Sequence, residues 1–225
     1  MTLLLLVRHA LTDATGKRLS GSTPGVHLSE EGRRQARELA ERLAGLRLTE
    51  VLSSPLERCR ETALAIAERH GLPVVTVPEL EEVGYGEWTG HSIARVSRTR
   101  LWRQLHQAPS SVRFPGGETL AEAQRRAVGA LEEAAARSPR GVVVVVTHAD
   151  IIRLALAHYA GVHLDLFQRL TVSPASVSAV ALGDRIPRVL RVNDTGSLQD
   201  LVGRERPGPT HGRSRRPKGR AEGRA

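Results

Sequence analysis

Two histidines and two arginines stand close behind short apolar runs in this chain: Arg8 and His9 at the end of Thr2 to Val7, His148 after Gly141 to Val146, and Arg58 after Val51-Leu52-Ser53. A neutral imidazole is nucleophilic near pH 7, and a protonated one is a donor. Guanidinium forks bind phosphate oxygens in pairs. Phosphoryl transfer needs little from a protein beyond alignment and neutralisation of equatorial charge, so these four residue types suit it. Taken singly, a histidine after a strand is more often a hydrogen-bonded structural residue, and an arginine on a helix is more often solvated. At the mouths of successive strand–helix units the four together leave less room for coincidence.

The elements that must position them follow from apolar periodicity. Thr2 to Val7 and Gly141 to Val146, the latter with five consecutive valines, have the pattern of strands covered on both faces. Ser29 caps a helix with Ala36, Leu39, Leu43 and Leu46 at helical spacing. A second helix starts near Pro55, places Leu56, Cys59, Ala63 and Ile66 on one face and ends at Gly71. Val74 to Val77 reads as a strand, 91–106, 118–137 and 149–160 as helices, and 176–182 and 186–192 as strands. Alternating strands and helices predict an α/β fold, a three-layer α/β/α sandwich on a mainly parallel sheet. Ligands of such sheets bind beyond the carboxyl ends of the strands, where Arg8, His9 and His148 emerge. A helix N-terminus near Arg58 adds a second attraction for phosphate.

Composition narrows the classes. The chain has 225 residues, 40% hydrophobic and 25% charged, enough for one globular domain, expected over 1–202. The first apolar run has no basic stretch before it and soon meets Arg8, so it is neither signal peptide nor membrane span, and a cytoplasmic location is expected. A single cysteine, Cys59, excludes an intrachain disulfide and any multi-cysteine metal cage. The net charge of +9 is concentrated at the C-terminus: residues 203–225 hold eight of the 33 Lys/Arg and two of the 24 Asp/Glu, leaving 25 basic against 22 acidic residues elsewhere. That basic tail has almost no apolar side chains and is expected to be disordered. It offers a reading of another class, nonspecific binding of nucleic acid or another polyanion. Aromatics at 3% leave few stacking platforms for bases, so the domain itself is not expected to read nucleic acid.

Seven segments in order carry a resemblance. They are Leu6-Val7-Arg8-His9-Ala10; Leu28-Ser29-Glu30-Glu31-Gly32 with Gln35-Ala36; Ser53-Ser54-Pro55-Leu56-Glu57-Arg58 with Glu61-Thr62-Ala63; Leu80-Glu81-Glu82 with Gly86-Glu87-Trp88-Thr89-Gly90; Pro115-Gly116-Gly117-Glu118-Thr119; Val146-Thr147-His148 with Ile152-Arg153; and Val192-Asn193-Asp194. In these the chain resembles the histidine phosphatase superfamily, also called phosphoglycerate mutase-like, over nearly all of residues 2–198. The resemblance implies that His9 accepts the phosphoryl group on a ring nitrogen. It further implies that Arg8, Arg58 and His148 surround the phosphoryl oxygens and that Glu82 donates the proton. It implies no metal and no cofactor, and a small phosphorylated substrate. The compact Glu82 to Gly90 segment looks more like the family's phosphatases than its glycolytic mutases, so hydrolysis is expected, with phosphomutase chemistry as the alternative. Thr15, Ser22 and Thr23, in the loop after the first strand, are candidates to hydrogen-bond the phosphate, with turn formation as their plainer reading.

Three positions depart from the family pattern. Ala10 stands where a glycine is usual, and a left-handed backbone there would be strained. Leu11 replaces a frequent Glu or Gln, and Ala149 replaces a glycine. Other chemistries fit less well. A cysteine phosphatase needs an arginine six residues after its nucleophile, and Ala65 stands six after Cys59, which reads instead as a small buried thiol. No Walker-type loop is present, and Thr89 breaks the dinucleotide glycine spacing after Gly84-Tyr85-Gly86. His148 and Asp150 lack a third metal ligand at recognisable spacing.

Overall fold

The computed structural model describes residues 1–183 and 186–196; the basic segment 203–225 lies outside the described residues. Six strands form one sheet: β1 (Thr2–Arg8), β2 (Glu50–Ser53), β3 (Val74–Thr76), β4 (Val142–Thr147), β5 (Val177–Leu182) and β6 (Arg188–Asp194). Their order is β3-β2-β4-β1-β5-β6. The first four are parallel neighbours, whereas β5 runs antiparallel to β1 and β6 antiparallel to β5. The sheet is therefore mainly parallel, as expected, with an antiparallel edge.

Because side chains alternate across a strand, each continuous apolar run feeds both faces. On one face Leu5, Val7, Val144 and Val146 pack with α1 (Glu30–Leu43) and α2 (Glu57–His70) through Ala36, Leu39, Cys59, Ala63 and Ile66. On the other, Leu4, Leu6, Val143 and Val145 meet α5 (Leu120–Arg137) and α6 (Ala149–Ala160) through Leu131, Ala134, Ile152 and Ala155. This gives the three layers. A third apolar cluster, with Val83, Tyr85, Trp88 and Phe114, lies beneath α3 (Ile93–Val96) and α4 (Arg100–Gln107).

Helix ends follow local chemistry. The Ser29 hydroxyl accepts from Gly32 N, as its expected cap role requires. Thr119 and Glu122 form a reciprocal capping box at α5. Gly71 and Gly161 close α2 and α6 in the left-handed conformation. Three expectations are corrected. Helix α1 ends at Leu43, so Leu46 lies beyond it and is 41% exposed. The single helix expected over 91–106 is two, because Thr99 turns its hydroxyl onto Trp102 N and starts a new helix after Val96. Pro55 precedes the α2 N-cap, Leu56, instead of occupying the first turn.

Candidate active site

The sheet order sets β4 between β1 and β2, so the residues that follow these three strands share one crevice. Arg8 is the last residue of β1, and His9 N donates to Thr147 O at 2.9 Å, locking the two strand ends together. His148 is the N-cap residue of α6, and Arg58 lies in the first turn of α2. The His9 and His148 rings stand 5.4 Å apart in an edge-on arrangement.

His9 Nδ1 lies 2.8 Å from Ala10 O, which can only accept, so the proton is on Nδ1 and the lone pair on Nε2. Burial, followed by the Arg58 charge, lowers the His9 pKa to about 3, which keeps the ring neutral near pH 7. His148 is wholly buried, and burial together with Arg58 holds its pKa well below the usual value. Its Nε2 shares a 2.8 Å hydrogen bond with Ser54 Oγ, and its Nδ1 lies 3.3 Å from Arg58 Nη2. Arg58 is itself 2% exposed; Nη2 donates to Gly21 O at 2.8 Å, while Nη1 is buried without a protein partner. Arg8 Nη1 donates to Val172 O at 2.7 Å, and its Nε is likewise unpartnered. Unsatisfied buried donors on fixed cations are costly unless an anion completes them.

Glu82 follows a 3-10 turn, Pro78–Leu80, and is held from outside the loop. Arg126 of α5 donates to the carbonyls of Glu79, Glu81 and Glu82 at 2.7, 2.8 and 3.0 Å, and Thr147 Oγ1 donates to Leu80 O at 2.6 Å. Downstream, Gly86 has φ +53°, and a Cβ there would stand 2.1 Å from Pro115 O, so glycine is required. Glu82 Oε2 lies 3.9 Å from His148 Nδ1, which sets the carboxyl beside both imidazoles. Burial, then the nearby Asp150 carboxylate, raises the Glu82 pKa to about 7. Asp150 accepts from Tyr85 OH and Arg153 Nη1, both at 2.8 Å.

A hollow of about 330 Å³ is lined by Arg8, His9, Arg58 and Glu82, together with Thr15 of the expected hydroxyl residues. Ser22 and Thr23 are not among its lining residues; Ser20 and Gly21 are. Thr15 Oγ1 accepts from Thr12 N at 3.1 Å and so also serves the turn. Ala10 has no positive φ, so the expected strain does not arise. Its neighbour Leu11 lies against Gly32, where a Cβ would be 1.9 Å from Leu11 O. Cys59 is a buried thiol, as expected, but its Sγ is also 3.4 Å from His148 Nε2. Sequence reasoning missed Ser54, Tyr85, Asp150 and Arg126 as parts of the site. Ser54 was within a quoted motif, whereas nothing in the sequence ties Arg126 to Glu82. Among the described residues, no group of three or more His, Cys, Asp and Glu is placed to hold a metal ion, and no helix is long and apolar enough to cross a membrane.

A neutral imidazole with a free Nε2, two fixed guanidinium groups, a second imidazole and a carboxyl raised toward neutrality define a phosphoryl-transfer site of the histidine type. The comparisons with known proteins agree. The family model "Histidine phosphatase superfamily (branch 1)" matches residues 4–195, and the chain belongs to that superfamily. Phosphoserine phosphatase 1 of Hydrogenobacter thermophilus is 34% identical over 203 residues, covering 89% of this chain and 96% of that protein. A Cronobacter sakazakii protein named "Probable phosphoglycerate mutase GpmB" is 29% identical, over 80% of this chain and 85% of its own. Among solved structures, mycobacterial glucosyl-3-phosphoglycerate phosphatase superposes with a TM-score of 0.77 at 26% identity, over 85% of this chain and 98% of that one. The family's members in these comparisons are phosphatases and phosphoglycerate mutase-like enzymes, which is the enzyme class of this chain.

Proposed function

We propose that this protein hydrolyses small phosphomonoesters through a phosphohistidine on His9. The observation that carries the reading is the Nδ1 contact of His9 with Ala10 O, which leaves Nε2 as a lone-pair donor in a hollow lined by Arg8 and Arg58. Nε2 attacks phosphorus, the bond from phosphorus to the leaving oxygen breaks, and that oxygen takes the Glu82 proton. Arg8, Arg58 and His148 bind the transferring oxygens, His148 as an N–H donor from Nδ1, with Thr15 at the margin of the hollow. Water then attacks the phosphohistidine and gives a proton to the Glu82 carboxylate, releasing phosphate and neutral His9. None of these steps uses a metal or cofactor.

The relatives named for phosphoserine and glucosyl-3-phosphoglycerate guide the choice of substrate toward phosphorylated small carboxylates. The phosphoglycerate mutase relative keeps phosphomutase chemistry as the second reading, since the same residues can return the group to a substrate hydroxyl. Brief incubation with a panel of such phosphomonoesters and quenching without acid tests the reading. Wild type is expected to trap acid-labile, base-stable phosphate on the chain, and His9→Ala none; equal labelling of both would move the nucleophile elsewhere. Measuring free phosphate and isomerised product together separates hydrolase from mutase.

A further inference from the structure

From Trp88 to Val112 the chain has four arginines, Arg95, Arg98, Arg100 and Arg103, and no aspartate or glutamate. All four are exposed, and none has an ion-pair partner among the described residues. Elsewhere in the same molecule exposed arginines are commonly paired: Arg34 with Glu31 and Glu38, Arg69 with Glu41, and Arg113 with Glu122. The unpaired segment is α3 and α4, and it adjoins the active-site hollow. Ile93 lines that hollow together with Arg18, which is also exposed and unpaired. The backbone fixes this neighbourhood: Ile93 N donates to Lys17 O at 2.9 Å, and Arg18 bridges to Ser92. Arg95 is two residues beyond Ile93, Arg98 N donates to Arg95 O at 3.4 Å, and α4 continues for about 12 Å, close to one Debye length at physiological salt. Arg100 and Arg103 line a surface hollow of their own with Gln104 and Gln107. The acids nearest along the chain, Asp13 and Glu87, form no ion pair with this group.

We infer that Lys17, Arg18 and the four arginines of α3 and α4 form an electropositive apron at the mouth of the active site that selects small phosphomonoesters carrying further anionic groups. The inference rests on the phosphatase reading and extends it to the charge class of the substrate. Inside the hollow, Arg8 and Arg58 meet a dianionic phosphoryl group; the apron adds charge that one phosphoryl group does not use. An external field raises local ligand concentration by a Boltzmann factor exponential in ligand charge. Removing it costs a tetra-anion the square of what it costs a dianion. A threefold loss for a dianion therefore means about a tenfold loss for a tetra-anion.

The test compares butyl phosphate with butanediol bisphosphate, which share a leaving group and differ in charge. Full-length wild type and the variant R95Q/R98Q/R100Q/R103Q are assayed for kcat/KM at low and high ionic strength, and both ligands are titrated calorimetrically. Unfolding midpoints check the fold, and R100Q/R103Q serves if the fourfold variant is unstable. Wild type is expected to prefer the bisphosphate at low salt. The variant should lose about threefold more of that ligand's kcat/KM and affinity than of the monophosphate's, and about 0.5 M salt should erase the difference. An unchanged ratio between the two ligands overturns the apron. Loss of heparin binding with no change in that ratio also overturns it and assigns the arginines to a macromolecular polyanion. Binding of both ligands without turnover of either would instead refute the phosphatase reading, leaving the calorimetric ratio to judge the apron.

Discussion

Arg126→Met removes a guanidinium that lies on α5, 44 residues from Glu82 in sequence, and keeps most of its apolar stem. The lost contacts are three donations to the carbonyls of Glu79, Glu81 and Glu82 and two to Glu118, at 3.1 and 2.6 Å. Hydrogen bonds to charged groups contribute roughly 1.5–3 kcal/mol each when buried. Arg126 is 24% and Glu118 21% exposed in the side chain, so water replaces part of the loss. A total of about 2–4 kcal/mol follows, or a fall in Tm of about 4–15 °C for a domain of this size. The catalytic effect runs through Glu82, because the three carbonyls are those of the segment that carries it. A misplaced acid forfeits part of the ~10²–10⁴ that general acid catalysis supplies, so a loss of about 10–100-fold is expected for phosphorylation of His9 by an alkyl phosphate. The assay is single-turnover kinetics on wild type, Arg126→Met, Glu82→Gln and the double variant. If Arg126 works through Glu82, adding Arg126→Met to Glu82→Gln should cost little more. Equal factors in both backgrounds would reduce Arg126 to a support of the fold.

Three further outcomes are expected. With the Glu82 pKa raised to about 7 by burial and Asp150, the acid form dominates below that pH. Transfer from an alkyl phosphate should thus fall about tenfold per pH unit above 7; Glu82→Gln should remove this limb and slow the alkyl ester by ~10²–10⁴ while slowing nitrophenyl phosphate far less, and persistence of the limb would assign it to another group. Ser54→Ala leaves the buried His148 Nε2 with only the Cys59 thiol nearby and should cost about 1–3 kcal/mol, visible in unfolding and in kcat; unchanged values in both would show the hydrogen bond to be idle. Deleting residues 203–225 and prolonged chelation should each leave turnover intact; loss of activity restored by a divalent ion would end the metal-free reading, and loss of folding would show that the tail supports the domain.

Much of this molecule was legible in the sequence because the relevant signals are local. The valine run and Thr2 to Val7 specify two doubly covered strands, and their period-2 alternation dictates helices on both faces. Arg8, His9 and His148 follow those strands directly, so identifying the strands also located the residues. The antiparallel edge of β5 and β6 and the break between α3 and α4 depended on pairings and caps that apolar spacing does not encode. Charge was legible only as composition. The cations of 95–103 could be counted, but their place beside the hollow comes from Ile93 resting against Lys17 and Arg18.

The sequence by itself determined which groups can react. The tertiary structure decided their state. An imidazole is nucleophilic wherever it is neutral, but His9 is held neutral by burial beside Arg58, and its tautomer is set by the Ala10 carbonyl. Glu82 became distinct from Glu79, Glu81 and Glu87 only when Arg126 and Thr147 fixed its segment and burial beside Asp150 raised its pKa. Protonation state depends on solvation and on charges brought near from other elements, and those distances exist only once the chain has folded.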